Sequence, residues 1–322
     1  MTLGSGRYSL IAALLILAAI VFAALHFGDL TRFVVMVQSA RPEWIIFAIV
    51  LQLCTYVSVS KGWLAVLQRA GILLTLRRIV PIAFSKLFVD QVVPAAGMGG
   101  NVLLVDRLTA LGVPRRAAIA ALLVSMVGYY AAYAVLSLLM LILLWVHREA
   151  TPLLVGLVTT FLIVALAIPS LALWLRGRGS KPLPPTGERF PPLAKLLSII
   201  GEAPSELVRD PLLILRVAGW NALVFLADAA TLAACLHSIG GPFSFSTAFI
   251  ALMMASIAVT LAPLPLGLGS FEASATATLS MLGIPIAAAL AATLLLRTLT
   301  LWLPLIPGFL LIRRTPKIRG GV

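Results

Sequence analysis

Apolar runs that are long enough to cross a lipid bilayer follow one another along most of this chain. The 322 residues are 61% hydrophobic and only 11% charged, with a mean hydropathy of +1.10. A soluble domain has no interior that could hide so large a share of apolar side chains from water. The runs are continuous rather than alternating, which excludes an outer-membrane β-barrel. The sequence therefore predicts an all-α polytopic membrane protein, with a single membrane domain over residues 1–322.

Six of the runs are long enough for a full transmembrane helix. Their predicted positions are Leu10–Leu25, Glu43–Leu67, Pro114–Val146, Pro152–Leu175, Pro211–Leu236 and Pro285–Ile312. The length of the first favours an uncleaved span over a signal peptide. Residues 176–210 are polar and are predicted to be a cytoplasmic linker, in which Leu193–Glu206 could form a short surface helix. Pro304 and Pro307 are expected to kink the last span.

Two breaks rich in proline and glycine interrupt the apolar pattern, at Pro94–Asn101 and at Pro263–Glu272. The segments beside the first break, Ile79–Val93 and Val102–Leu111, are too short for the ~30 Å hydrocarbon core. Two half-length helices joined by a break predict a re-entrant hairpin, which enters and leaves the membrane on one side. Phe243–Leu261 and Phe271–Leu282 predict a second hairpin, although Phe243–Leu261 is almost long enough to span alone.

The two breaks belong to a longer matched pattern. Gly112-Val113-Pro114 follows the first break and Gly283-Ile284-Pro285 follows the second. Pro94 and Pro114 are 20 residues apart, as are Pro265 and Pro285, and the two pairs are offset by 171 positions. The pattern predicts one structural unit used twice, with repeat 1 at about 43–147 and repeat 2 at about 211–312.

The net charge of +13 comes from basic residues that mostly flank the apolar runs. That placement indicates membrane topology and lipid headgroup contact, and no nucleic acid is expected as a partner. Most of these residues fall on one side of the predicted spans, which by the positive-inside rule puts both termini in the cytoplasm of a bacterial inner (cytoplasmic) membrane. The two hairpins then enter from opposite faces. Inverted repeats with broken helices are typical of transporters.

Inserting an ionisable side chain into the membrane interior costs ~2.5–3.5 kcal/mol, so each such residue calls for a structural or functional explanation. The candidates are Lys86, Asp90, Asp106, Arg107, Asp228, Glu272 and Arg297. Lys86 and Asp90 share one helix face, where they could form an ion pair, line a polar cavity, or do both. Glu272 favours the positive end of a helix dipole, and Arg297 is expected to pair with Glu272 or Asp228, or to face an anionic ligand.

The residues at the two breaks complete the predicted substrate site. Half-helix N-termini there would direct unpaired N–H groups into a cavity, which suits phosphate or carboxylate. The residues assigned to this site are Gln91, just before the first break, and the break residues Pro94, Gly97, Gly99, Gly100, Asn101, Pro265, Gly267 and Gly269. Two cysteines and three histidines form no metal-ligand spacing, and there is no nucleotide-binding motif, so neither a metal nor a cofactor is expected.

The two breaks resemble the transmembrane region of lysylphosphatidylglycerol synthases and their stand-alone flippase-like relatives. Pro265-Leu-Gly267-Leu-Gly269-Ser-Phe-Glu272 with Arg297 is similar to that family's Pro-Gly-Gly-Leu-Gly-x-x-Glu and downstream arginine. Pro94-x-x-Gly97-x-Gly99-Gly100 with Arg107 is similar to its Pro…Gly-Gly-acid…Arg. Leu266 stands where a glycine is usual, and Asn101 where an acid is usual. The resemblance implies translocation of a lipid with an anionic or modified headgroup, without the synthases' soluble aminoacyl-transfer domain.

The predicted function is a lipid flippase or transporter rather than an enzyme. A phospholipid or polyprenyl-phosphate headgroup would contact Lys86, Arg107 and Arg297, while Asp90, Glu272 and Asp228 would act as counter-charges or proton carriers. A membrane-embedded lipid-modifying transferase and a small-solute secondary transporter stay open as alternatives. As partners, a second copy of the chain in a homo-oligomer and a lipid-synthesis enzyme are also possible.

Overall fold

The structure, a computed structural model, describes residues 38, 40–92, 98–146, 151–178, 202–261 and 267–313. All regular structure in these ranges is helical. The predicted first span Leu10–Leu25, the break residues Pro94, Gly97 and Pro265, most of the predicted linker and the basic C-terminal tail lie outside the described residues.

The helices follow the predicted segments closely. They are α1 Pro42–Arg69, α2 Leu76–Val92, α3 Met98–Ala110, α4 Arg115–Val146, α5 Pro152–Arg178, α6 Ser205–Val208, α7 Pro211–Ser238, α8 Phe245–Leu261, α9 Ser270–Met281, α10 Ile286–Arg297 and α11 Leu303–Arg313, with a π-helical segment at Thr298–Trp302. In the described part of the predicted linker, residues 176–178 end α5, Glu202 is helical, and α6 is a single turn.

Four helical stretches of the described chain are long and apolar enough to cross a membrane. They are Pro42–Arg69, Arg115–Val146, Pro211–Ser238 and Ile286–Leu311. Leu154–Ala167 and Phe245–Leu261 are shorter apolar helices. The predicted class is thus confirmed as a multi-pass, all-helical membrane protein.

The matched Gly-Val-Pro and Gly-Ile-Pro motifs end two short helices in the same way. Gly112 and Gly283 have φ angles of 85° and 87°, in the left-handed region that glycine adopts without strain. The next residue donates its N–H backwards in both cases, from Val113 to Leu108 (3.1 Å) and from Ile284 to Leu279 (3.0 Å). These bonds satisfy carbonyls that a helix end would otherwise leave unpaired. The following proline then starts a long helix in both places.

The antiparallel helices α1 and α7 form the centre of the fold, and polar contacts tie them at three levels. At one end the Arg41 N–H donates to the Ser238 carbonyl (2.8 Å), and at the other Arg69 Nε lies 2.9 Å from Asp210 Oδ2. Between these ends, Gln52 Nε2 donates to Asp228 Oδ1 at 2.7 Å. These contacts set the register of the two helices along their whole length.

The remaining helices pack around this centre in two corresponding sets. In the first, α2 packs on α1, α3 on α2, and α4 on both α3 and α1. In the second, α8 packs on α7, α9 on α8, and α10 on both α9 and α7. The sets also touch each other, because α11 packs on α2 and α4 packs on α7. Each set has apolar side chains buried at its core.

The last predicted span is interrupted earlier than the kinks expected at its prolines. A π-helical turn at Thr298–Trp302 directly follows Arg297, and Leu303 donates its N–H to the Thr298 carbonyl, five residues back. Pro304 offers no N–H, and in a regular helix its ring would clash with the carbonyl four residues earlier. The wider turn before Pro304 removes that clash. Pro307 is accommodated inside α11.

Candidate functional site

Lys86 and Asp90 form the first of two charged clusters beside the breaks. Lys86 Nζ lies 2.6 Å from Asp90 Oδ2, one helical turn away on α2. The other carboxylate oxygen, Oδ1, accepts the backbone N–H of Gly100 at 3.0 Å. Both side chains are about one-fifth exposed, so water screens this pair only partly. Of the two interpretations of Lys86 and Asp90, the structure shows the ion pair.

Gly100 is the third residue of α3, and its backbone comes very close to Asp90. A β-carbon built on Gly100 would lie 2.2 Å from Asp90 Oδ1, which no other residue type could accommodate without movement. The first N–H groups of a helix have no partner within that helix and carry a partial positive charge. The Asp90 carboxylate supplies the missing acceptor and links α2 to the start of α3.

Glu272 and Arg297 form the second cluster. Arg297 Nε lies 2.7 Å from Glu272 Oε1, and Glu272 Oε2 accepts the backbone N–H of Gly269 at 2.8 Å. Gly269 is the N-cap of α9 and Glu272 is its third residue, which is the position from which a glutamate reaches back to the cap. The Arg297 guanidinium also lies over the Phe271 ring, 4.8 Å from its centroid. Of the three partners expected for Arg297, the structure shows Glu272.

The two clusters share one chemical arrangement. In each, a short helix follows a break, a carboxylate accepts an N–H at its N-terminus, and a cationic side chain binds the same carboxylate. The carboxylate comes from the helix before the break in the first cluster and from the helix after it in the second. One expectation is corrected here: the N–H groups of Gly100 and Gly269 are not unpaired, because acidic side chains of the chain itself bind them.

Asp228 belongs to neither cluster. Its Oδ1 accepts from Gln52 Nε2, and Gln52 also donates to Thr231 Oγ1 at 3.1 Å. Gln52 is 2% exposed and was missed by sequence reasoning, which searched the predicted spans for charge and overlooked an amide. A search of the predicted spans for amide side chains as well as ionisable ones would have found Gln52. Asn221, which lies on α7 with Asp228, is buried and donates to the Val217 carbonyl.

Other predicted site residues lie near the clusters without joining them. Asn101 and Arg107 are half-buried on α3, and no ion pair joins Arg107 to a described residue. Gly99 lies in the first turn of α3, and Gln91 lies in the last turn of α2. Gly267 is buried, and its backbone lies against Val259 of α8. Over the described ranges, no group of three or more His, Cys, Asp or Glu is arranged to hold a metal.

An apolar groove opens on the helix that carries Lys86 and Asp90. It has a volume of about 340 Å³ and lies between α2 and α11. Its lining residues are Val80, Pro81, Phe84, Pro307, Leu310 and Leu311. Gly308 brings the two helices together beside it, since a β-carbon there would lie 2.6 Å from Phe88 Cβ. Hydrocarbon chains suit such a surface, and water does not.

A family model described as the lysylphosphatidylglycerol synthase TM region matches residues 10–308, which is nearly the whole chain. The chain belongs to this family. No curated protein matches it. Membership confirms the resemblance stated from the two breaks and gives the protein a membrane function related to lipids.

The structure also bears on the departure from the family pattern at Asn101. The resemblance would place an acid directly after Gly100, and this family member has an amide there. The carboxylate at this point comes instead from Asp90, which binds the Gly100 N–H from the preceding helix. An anionic group therefore occupies the N-terminus of α3 although residue 101 is neutral.

Proposed function

We propose that this protein moves a lipid with an anionic or modified headgroup between the two leaflets of a bacterial inner membrane. The observation that carries the proposal is the pair of carboxylate–cation clusters at the starts of α3 and α9. Each cluster is an anion site that an acidic side chain of the chain itself fills. A lipid phosphate that replaced Asp90 or Glu272 would find the same N–H group and the same cation.

In this proposal, α2 with α3 and α8 with α9 form re-entrant hairpins that enter from opposite sides. The two corresponding sets of helices would then be an inverted repeat, with both termini in the cytoplasm. The direct packing of α11 on α2 brings the end of the second repeat against the first hairpin, and we propose that the substrate path runs between the two repeats. Transporters with inverted repeats place their substrate sites between the repeats near the bilayer midplane.

The apolar groove between α2 and α11 supports a lipid as the cargo rather than a small solute. It lies on the face of α2 opposite Lys86, where a lipid tail could rest on Phe84 and Leu310. The tail would stay in an apolar environment while the headgroup crosses, which avoids the cost of moving the whole lipid through a polar path. We propose a transporter and not an enzyme, from which the lipid leaves chemically unchanged.

A lipid-scrambling assay in proteoliposomes tests the proposal. Purified protein would be reconstituted with a phospholipid that carries a fluorescent tail, and an impermeant quencher would report the exposed leaflet over time. We expect faster movement than in protein-free liposomes. Arg297→Ala and Lys86→Ala should each slow it roughly 10–100-fold, since each removes a charge-assisted hydrogen bond worth ~1.5–3 kcal/mol.

Arg115→Ala is the matched control, because Arg115 forms an exposed pair with Glu202 outside both clusters. It should keep the wild-type rate. Lipid movement no faster than in empty liposomes, for phospholipid and for polyprenyl phosphate, would contradict the proposal. A covalently altered lipid in the same vesicles would point to a transferase, and uptake of a water-soluble headgroup analogue would point to a solute transporter.

A further inference from the structure

Asp228 differs from Asp90 and Glu272, the acidic side chains of the two charged clusters. Asp90 and Glu272 each accept a backbone N–H and each pair with a cation. Asp228 accepts from the neutral amide of Gln52, and among the described residues no cation pairs with it. The local structure therefore explains the charges of Asp90 and Glu272 but leaves that of Asp228 without compensation.

The position of Asp228 makes an ionised carboxylate without a counter-ion energetically unfavourable. Gln52 is 10 residues from the start of α1, and Asp228 is 10 residues from the end of α7. These ends meet through the Arg41–Ser238 bond, so both side chains lie about 15 Å along the helices from the same end. The other ends of the two helices are 17 residues away, or about 25 Å, so both side chains lie well inside helices that are long and apolar enough to cross the membrane. An ionised carboxylate at this depth is expensive unless something offsets its charge.

The surroundings of Asp228 contain polar groups but no counter-ion of its own. The phenols of Tyr56 on α1 and Tyr129 on α4 lie near enough to interact with it electrostatically. Of the other helices packed on α7, α8 has no ionisable residue, and α10 has only Arg297, which Glu272 binds. Gln52 uses both of its amide hydrogens, on Asp228 and on Thr231, so its side chain is held in place.

The bond from Gln52 is compatible with either protonation state of Asp228. In the acid form Oδ1 is a carbonyl oxygen that still accepts from Gln52, and Oδ2 carries the proton. In the ionised form Oδ1 accepts the same bond, now to a charge. We propose that Asp228 is a proton-binding site which takes one proton from water on one side of the membrane and releases it on the other. Lipid movement would then be coupled to proton movement, and this second part rests on the proposed function.

Infrared difference spectroscopy tests the proton site without any lipid transport. The full chain in lipid nanodiscs would be taken from alkaline to mildly acidic pH, and the carboxylic C=O stretching band would be recorded. We expect a band that Asp228→Asn removes and Asp106→Asn keeps, Asp106 being an exposed acid on α3. Asp228→Glu should restore a band at a shifted position, and it replaces Asp228→Asn if the amide variant does not fold.

An imposed pH gradient across the proteoliposomes tests the coupling. The wild-type protein should move lipid faster with the gradient than without it, and Asp228→Asn should lose that response. A band that does not depend on residue 228, or one that Na⁺ removes at constant pH, would overturn the proton site. A residue-228 band with no gradient response would overturn the coupling. If the band is present but the wild-type protein moves no lipid, the proton site stands and the proposed function fails.

Discussion

At the scale of single residues, the two clusters show how this family member tolerates charge in an apolar setting. Asp90 and Glu272 each satisfy a helix N-terminus and a cation at once, so each charge meets two partners. The arrangement depends on glycine at one position, because only the missing side chain of Gly100 leaves room for the Asp90 carboxylate. Three of the predicted site residues therefore form one unit: Lys86, Asp90 and Gly100.

Gly100→Ala should displace the Asp90 carboxylate and break its bond to the α3 N-terminus. We expect the free energy of unfolding to fall by ~1.5–3 kcal/mol, the range for a hydrogen bond to a charged group. Thermal unfolding in detergent, followed by tryptophan fluorescence, measures it. Gly156→Ala on α5 is the control, since no atom lies within 4 Å of its new β-carbon. In an Asp90→Ala background the cost of Gly100→Ala should disappear, and a persistent cost would contradict this explanation.

The Glu272–Arg297 pair should show strong coupling in a double-mutant cycle. Glu272→Gln and Arg297→Gln each leave one charge without its partner, whereas the double variant leaves none. We expect a coupling energy in the upper half of the ~0.5–3 kcal/mol range for contacting residues, from unfolding measurements on all four proteins. The Arg115–Glu202 pair has side chains that are 60% and 38% exposed, so the same cycle there should give under ~1 kcal/mol. Equal coupling energies in the two pairs would contradict the stronger interaction expected for the less exposed Glu272–Arg297 pair.

At the scale of helices, close approaches at small residues determine which elements meet. Gly128 of α4 faces the backbone of α7, where a β-carbon would lie 3.0 Å from the Ala218 nitrogen. Gly308 of α11 lies against Phe84 and Phe88 of α2 in the same way. Small residues at such crossings are the usual means by which membrane helices approach closely. The contact at Gly308 joins the first predicted hairpin to the last helix of the chain.

Gly308→Ala should separate α11 from α2. Its β-carbon would lie 2.6 Å from Phe88 Cβ and 2.9 Å from the Phe84 carbonyl oxygen, and backbone cannot move as easily as a flexible side-chain end. Overpacking of this kind costs ~1–3 kcal/mol, so we expect a lower melting temperature and slower lipid movement. Gly219→Ala on α7 meets no atom within 4 Å and should leave both unchanged or slightly raise stability. If Gly308→Ala changes neither the melting temperature nor the rate of lipid movement, the two helices are not packed this closely.

The Arg69–Asp210 contact gives the α1–α7 pair a dependence on pH. The hydrogen bond from Arg69 lowers the pKa of Asp210 below its usual value, with further help from the N–H groups of Leu212 and Leu213. A lowered pKa contributes stability that is complete above the unfolded-state pKa of ~3.9 and is lost as pH falls through the folded value. We expect the melting temperature to fall as pH drops through this acidic range. Asp210→Asn keeps a capping side chain and should flatten the dependence.

At the scale of the whole molecule, topology is the property on which the proposed function depends most. In the proposed topology both termini lie in the cytoplasm, and the loop between α4 and α5 lies on the opposite side. A fluorescent protein fused to the C-terminus should therefore be bright, and alkaline phosphatase fused after Thr151 should be active, since each reporter works on one side only. A dark C-terminal fusion with phosphatase active at that end would reverse the orientation and exchange the entry sides of the hairpins.

The sequence by itself determined the membrane class, the helix positions and the matched breaks. These follow from local properties: apolar length sets a span, glycine at a left-handed position ends a helix, and proline begins the next. Gly112 and Gly283 are an example of such local control, since one motif produced the same helix end twice. The family was also recognisable from the break residues, and the match over residues 10–308 confirms it.

Only the tertiary structure decided which charge meets which partner. Arg297 had two candidate partners along the chain, Glu272 and Asp228, and the packing of α9 on α10 selects Glu272. Asp228 meets Gln52, 176 positions away, because α1 and α7 lie antiparallel in one register. Residues this distant in sequence become neighbours through helix packing, which no local pattern encodes. For that reason the charged residues of the apolar helices could be found in the sequence, whereas their roles as cap and counter-ion, and the proton site proposed at Asp228, depend on the fold.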